Sequence, residues 1–464
     1  MVEIKSIVKD YLERAKSGED IEEIFEKGKE EAEEIKERFN AYITVSEPSA
    51  ERKGKLYGAL IAVKDNICTK GIRTTAGSKI LEDYVPEFDA TCVERVKQEG
   101  GAVLGKTAMD EFGFGTFSTN CAFGIPKNPL DANRSCGGSS GGAACAVAAS
   151  KMPVISIAES TGGSITAPAA FTGTVGLTPT YGRVSRWGLI DYANSLDKIG
   201  VIGRSTYDVA LLLSVIGGRD PKDTTSSTEK VDEYERLEEK RLKVGIPKEY
   251  FEVEMEKGVE EGVWNAIKKL EREGVEYKEI SLPSTSLAIE TYYIISMSEA
   301  STNLAKYCGL RYGLQKNIEG SSNEYFSEVR SLGFGEEAKR RIILGTYMRM
   351  AGYRGKYYEK ALRLRTRIIN EFKNAFENVD IIATPSMPIL APRFEDIEKL
   401  APEEVYSMDI MTVSPNLAGL PTLSIPCSKS NSLPVGIQFI AKHFHEKDLL
   451  DFGYFAEGLF GYGG

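Results

Sequence analysis

Two serines and one lysine are the residues of this sequence whose types and spacing could do nucleophilic chemistry. Ser139 lies in GGSSGG (137–142), Ser164 lies in TGGS (161–164), and Lys64 follows the apolar run 56–63. A serine hydroxyl is a poor nucleophile until a base takes its proton. The usual base is histidine, and the 464 residues hold two, His443 and His445, in the charged segment AKHFHEKD. Lysine is then the leading candidate base. Burial strips water from the ammonium and favours the neutral amine, which can accept a proton, as in Ser-Lys variants of the triad. Glycines before a serine leave successive backbone N–H groups able to face a developing oxyanion.

Two other motifs compete with that reading. Residues 100–107, GGAVLGKT, satisfy the P-loop pattern G-x-x-x-x-G-K-[ST], which would make the chain a nucleotide-binding protein with Lys106 on the phosphates. A P-loop needs a strand before its first glycine and a helix after its Lys-Thr. Here the polar, helix-like VERVKQEG comes before, and the interior AVL is strand-like. Gly100 and Gly101 read as a helix C-cap, so the stretch predicts a helix–turn–strand junction. Residues 137–141 also fit the nucleophile elbow G-x-S-x-G, with His443 or His445 in the expected chain order. That motif requires a strand running into the serine, whereas 128–134 (NPLDANR) is turn-rich. Two histidines in a charged segment read as solvent-facing.

The elements that must hold these residues alternate in type. Residues 2–40 read as helix, with Ile4, Ile7, Val8 and Leu12 on one stripe and Ile21, Ile24, Phe25, Ala32, Ile35 and Phe39 on another, Gly18 turning between them. Residues 56–63 read as a buried strand, 89–99 as helix and 102–104 as a short strand. Between Gly100 and Gly203 fall 18 of the 45 glycines, which suggests backbone held close to a ligand. Residues 224–242 read as a solvated connection. Periodicity predicts helices over 255–275, 287–307, 336–378 and about 447–460, and strands over 244–246, 380–383, 423–425 and 435–440. The alternation predicts an α/β fold with a mixed central sheet covered by helices on both faces.

Composition excludes several classes. A net charge of −10 disfavours a broad grip on phosphates, so any nucleic acid would be gripped by a partner. Seven cysteines without a CxxC pair imply neither a disulfide framework nor a zinc ribbon, and fit a reducing cytoplasm. The N-terminus has no apolar signal core, and no run reaches the roughly 18 apolar residues of a membrane span. Three glutamines against abundant Glu and Lys lean toward a thermophile's composition.

Taken together, GGSSGGAACAVAA, TGGSITAPAAFTGTVGLTPTYGRVSRWGLIDYANSLDKIG, VKDNI, GKTAMDEFGFG and NLAGLPTLSIP resemble the amidase signature family over nearly the whole chain. The resemblance implies a single domain over 1–464, with its signature core at about 56–220 and a helical, substrate-pocket region at about 250–420. By similarity, Ser164 is the nucleophile, Ser139 a bridging serine preceded by a cis peptide bond, and Lys64 the base acting through it. The N–H groups of Thr161, Gly162 and Gly163 would form the oxyanion hole.

Within the family, FNAYITV, SEASTNLAKYCGLRYG and RRIILGTY resemble the glutaminase subunits of tRNA-dependent amidotransferases. That implies Asp409 on the α-ammonium of glutamine, Arg341 on its α-carboxylate, and Tyr292 in the same pocket. It further implies ammonia passed to Glu-tRNA(Gln) or Asp-tRNA(Asn) in a cytoplasmic heterotrimer with GatB-like and GatC-like subunits. The tRNA would sit mainly on the larger partner, which would use ATP and Mg²⁺, leaving this chain without metal or cofactor. A stand-alone amidase acting on another amide is the alternative within the family. The sequence departs from the family's SDTGGS. Here Glu159-Ser160 precede the threonine, Thr166 replaces the usual arginine, Cys136 replaces a proline, and the spacing is one residue longer. Losing the acid and the arginine together leaves no unpaired buried charge, and Glu159 is placed to replace the acid if the extra residue shifts it.

Overall fold

Short β-branched and apolar runs become strands here, and the pleat decides which of their side chains meet the site. The computed structural model describes residues 6–18, 21–317 and 320–461. Its strands are β1 (Tyr42–Val45), β2 (Leu60–Lys64), β3 (Ala102–Thr107), β4 (Lys127–Asn128), β5 (Asp131–Ser135), β6 (Val154–Ser160) and β7 (Val175–Thr178). They continue with β8 (Lys198–Gly203), β9 (Val244–Pro247), β10 (Tyr277–Ile280), β11 (Ile381–Pro385), β12 (Thr422–Ser430) and β13 (Leu433–Ala441). Eleven form one sheet in the order β1-β3-β2-β6-β8-β7-β12-β13-β11-β9-β10, while β4 and β5 pair separately. The sheet is mixed: β2 runs parallel to β3 and β6, whereas β6, β8 and β7 alternate antiparallel.

Both faces of the central strands are covered, as the near-continuous apolar character of β2 requires. Ile61 and Val63 pack with Cys92, Val93 and Val96 of the helix Thr91–Gln98 and with the helix Thr206–Ile216. Leu60 and Ala62 pack on the other face with the helices Glu22–Phe39 and Gly141–Ala149. The α/β expectation with helices on both faces holds, in a single domain. A further apolar cluster joins Phe112, Phe114 and Tyr192 to the helices Ala288–Asn303, Glu336–Arg349, Tyr358–Ala375 and Ile410–Leu417.

Several boundaries differ from the sequence reading. The expected helix over 2–40 is two helices, Ile7–Lys16 and Glu22–Phe39, with Ile4 outside the described residues. Residues 55–58 are turn and Ala59 lies outside any strand, so β2 starts only at Leu60. The expected helix over 336–378 breaks after Arg349, where Gly352 takes a φ of +89°, and resumes at Tyr358. The turn-rich 128–134 holds a short hairpin, which satisfies backbone groups locally without joining the main sheet. The helices Gly141–Ala149 and Thr206–Ile216 escape prediction because they are apolar all round and carry no stripe. No helix among the described residues is long and apolar enough to cross a membrane.

Candidate active site

Lys64 ends β2 and Glu159 lies near the end of β6, its parallel neighbour. The Lys64 side chain is fully buried. Its Nζ donates to Ser139 Oγ at 2.8 Å, to the Glu159 carbonyl at 2.9 Å and to Glu159 Oε2 at 3.0 Å. Burial pushes the Lys64 proton affinity down, and the Glu159 carboxylate pulls against it. Asn66 Nδ2 also donates to Glu159 Oε2, at 3.1 Å.

Ser139 follows a cis Gly138–Ser139 peptide bond, as the resemblance implies. The bond is held on both sides: Gly138 N–H donates to the Thr116 carbonyl at 2.7 Å, and Asp110 N–H to the Ser139 carbonyl at 3.2 Å. A Cβ on Gly138 would stand 2.3 Å from Asp110 Oδ2 and 2.6 Å from Ser118 N, so only glycine fits. Asp110 in turn accepts from Ser118 and Asn120 N–H, both at 2.9 Å, and burial raises its carboxyl to about 6.

Ser164 occupies the turn between β6 and the helix Thr166–Thr172. Ser140 N–H donates to its carbonyl at 3.2 Å, which ties the two serine segments together. Its hydroxyl makes no hydrogen bond among the described residues, and no side-chain bond joins it to Ser139. The N–H groups of Thr161, Gly162 and Gly163 likewise have no acceptor among the described residues, which leaves them available to an anion. Asn416 Nδ2 fixes the Thr161 carbonyl, and Ser160 Oγ donates to the Gly162 carbonyl at 2.9 Å. Ser160 thus braces the glycine turn instead of supplying the missing acid.

The other expected residues come from the helical region. Tyr292 Oη lies 2.8 Å from Thr161 Oγ1, which places it against the glycine turn. Asp409 precedes the helix Ile410–Leu417 and accepts from Tyr293 Oη at 2.6 Å and Thr116 Oγ1 at 3.2 Å. Burial raises its carboxyl to about 6. Arg341 is buried among the rings of Phe114, Tyr192, Tyr293 and Tyr406, each with its centroid within 6 Å of the guanidinium carbon. Its Nε donates to Glu337 Oε1 at 2.8 Å and Nη1 to Tyr192 Oη at 2.5 Å. Nη2 has no partner among the described residues. A cavity of about 480 Å³ opens beside Arg341, Thr116 and Tyr406 and continues over Phe117, Phe394 and Leu400.

Sequence reasoning misses Tyr192, Tyr293, Glu337 and Tyr406. Only Glu337 leaves a signal, its i,i+4 spacing to Arg341. The rival motifs fail on structure. Lys106 lies inside β3, not at a loop–helix junction. Its Nζ donates to the Ile67 carbonyl and, at 3.2 and 3.1 Å, to Thr69 and Thr74 hydroxyls, so it has no room for a phosphate. His443 Nε2 bonds the Ala418 carbonyl at 2.8 Å and is half-buried, not solvent-facing as expected. His445 pairs with Asp448 at 2.8 Å.

A buried lysine on a serine, beside a turn of unpaired N–H groups, is the equipment of a serine amide hydrolase. The chain belongs to the amidase family, whose profile matches residues 6–450, and is an enzyme of the amidase class. It is 46% identical over 454 residues to a glutamyl-tRNA(Gln) amidotransferase subunit of Sulfurihydrogenibium sp. (strain YO3AOP1), covering 94% of this chain and 93% of that one. It is 48% identical over 440 residues to the protein of the same name from Thermodesulfovibrio yellowstonii, covering 91% and 90%. The solved structure of the corresponding glutamyl-tRNA(Gln) amidotransferase protein from Thermotoga maritima superimposes with a TM-score of 0.83 at 36% identity, covering 98% of this chain and 96% of that one.

Proposed function

We propose that this chain is the glutamine-hydrolysing subunit of a tRNA-dependent amidotransferase. The observation that carries the reading is the 2.8 Å hydrogen bond from the buried Lys64 Nζ to Ser139 Oγ, beside the turn that presents Ser164. Neutral Lys64 takes a proton from Ser139 as Ser139 takes one from Ser164. Ser164 Oγ then attacks the side-chain amide carbon of glutamine. The N–H groups of Thr161, Gly162 and Gly163 meet the oxyanion, where such donors are worth about 10²–10³ in rate each. The lysinium returns its proton through Ser139 to the leaving ammonia, and water releases glutamate from the acyl-enzyme.

Recognition uses the two charges of an amino acid. Asp409 takes the α-ammonium and the free Nη2 edge of Arg341 takes the α-carboxylate, with Tyr292 closing the pocket. GatB-like and GatC-like partners complete the enzyme. They hold the acylated tRNA and use ATP with Mg²⁺ to activate its carboxylate for the released ammonia, in the cytoplasm.

Ser164→Ala tests this in the reconstituted complex. Glutamine-dependent amidation of tRNA should vanish, while amidation from free ammonium persists. Surviving glutamine-dependent activity would overturn the assignment. High amidase activity of the isolated chain on other amides would favour a stand-alone hydrolase.

A further inference from the structure

Glu159 stands in contact with the proposed base yet has no part in the cycle above. One carboxylate oxygen, Oε2, accepts from both Lys64 Nζ at 3.0 Å and Asn66 Nδ2 at 3.1 Å. The other, Oε1, is buried without a partner among the described residues, as is Asn66 Oδ1. Glu159 is 1% exposed. Gly113, with a φ of +84°, covers the group, and a Cβ there would lie 3.5 Å from both Glu159 Oε2 and Ser139 Oγ. Water is therefore kept from the Lys64–Glu159 pair. A carboxylate with a bare oxygen in so dry a place is costly to bury, and a charge that forms on Lys64 during reaction is what it can offset.

The geometry points to Glu159 as a positioning residue of this reaction: it aims Lys64 Nζ at Ser139 and stabilises the lysinium that forms when the serines give up their proton. This rests on the glutaminase reading with Lys64 as base. The proton balance is simple. Ser164 Oγ forms its bond to the amide carbon, the carbonyl π pair moves to the oxyanion, and one net proton arrives on Lys64. Glu159 neither gives nor takes a proton in this balance. It stands toward Lys64 as the aspartate of a Ser-His-Asp triad stands toward its histidine, fixing orientation and meeting the cation.

Three carboxyl groups face Lys64, each from a different element. Glu159 comes from β6, Asp110 from the segment after β3, and Asp197 from the residue before β8. Asp197 accepts Tyr192 and Ala193 N–H at 3.0 Å, and burial, with the Glu159 charge beside it, raises its carboxyl far above the usual range. Asp110 is bound to its own loop. Glu159 is thus the carboxylate in direct contact with the amine.

The test is the pH profile of kcat for glutamine hydrolysis in the assembled complex. Activity rises with pH as Lys64 loses its proton. Glu159→Gln removes the charge that favours the lysinium, so the rise should move at least about one unit toward acid. The plateau should fall about 10²-fold with KM for glutamine little changed. Glu159→Asp keeps the charge and should leave the rise near the wild-type pH. If Glu159→Gln does not fold, Glu159→Ser gives the same reading. A rise that stays at the wild-type pH in a folded Gln or Ser variant overturns the inference. Lys64→Ala separates the two ideas: undiminished hydrolysis there sinks the glutaminase mechanism itself.

Discussion

Two lysines end up fully buried on adjacent strands, and they do opposite things. Lys64 closes β2 and Lys106 lies one register step away on β3, opposite Val63. Burial lowers the proton affinity of both, Lys106 to about 8. Lys64 meets a serine and a carboxylate. Lys106 meets a carbonyl and two threonine hydroxyls, a cage that holds a segment between β2 and the helix Thr91–Gln98. Desolvation alone therefore does not make a base. What distinguishes the two is the partner, and the partner is set by which face of the sheet each lysine points to.

A bulge makes that choice. Ala102 and Leu104 share the face of Leu60, Ala62 and Lys64, and straight alternation would bring Lys106 there too. The register shifts between Ile61 and Ala62, so that Gly105 pairs with Ala62 and Lys106 with Val63. Lys106 is thereby turned to the opposite face. Gly105 is needed where it sits, because a Cβ there would come within 2.3 Å of the Thr44 carbonyl.

The largest expected effect breaks or upholds this contrast directly. Lys64→Ala should lower glutamine hydrolysis about 10²–10⁴-fold without lowering the unfolding midpoint by more than a few degrees. An equal loss in Lys106→Ala would erase the distinction.

On the same side of the sheet as Lys64, Asp409 offers a second charge test. In the proposed pocket glutamine's ammonium would meet the ionised carboxylate, and burial raises the Asp409 carboxyl to about 6. KM for glutamine should therefore climb as pH falls through about 6. Asp409→Asn should raise KM about 10–100-fold and remove that climb. A variant that keeps the climb would assign it to another group, such as Asp110.

The smallest effect lies at Lys106 and appears in stability, not rate. Lys106→Met leaves the Ile67 carbonyl and two hydroxyls short of a donor, a loss of about 1–3 kcal/mol. Hydrolysis at 25 °C should stay within about threefold. The sign with pH follows from the depressed affinity. Between about 8 and 10.5 the unfolded chain binds more protons than the folded one, so wild-type stability gains as pH rises through that window. The gap between wild type and Lys106→Met should widen there. Thermal unfolding at pH 7.5 and 10 measures it.

How much is legible varies by residue. Ser139 and Ser164 are readable because glycine-serine runs are local devices, and Lys64 because two histidines in 464 residues leave few other bases. Residue order alone does not say whether Glu159 or Ser160 stands toward the lysine; in the folded chain Glu159 Oε2 meets Lys64 Nζ at the strand ends, and Ser160 turns to the Gly162 carbonyl. Arg341 and Asp409 can be named from the family pattern. Their aromatic surround, Tyr192 from one segment, Tyr293 from another and Tyr406 from a third, has no sequence spacing to read.

The sequence by itself determined the chemistry available: serines on glycine turns, a lysine at the end of an apolar strand, and an acidic chain poor in histidine. These depend on residue type and on neighbours a few positions away. Only the tertiary structure decided which lysine faces a serine, which acid faces that lysine, and which rings enclose Arg341. Those outcomes depend on strand register and on packing between distant elements, where a shift of one residue turns a side chain to the other face of the sheet.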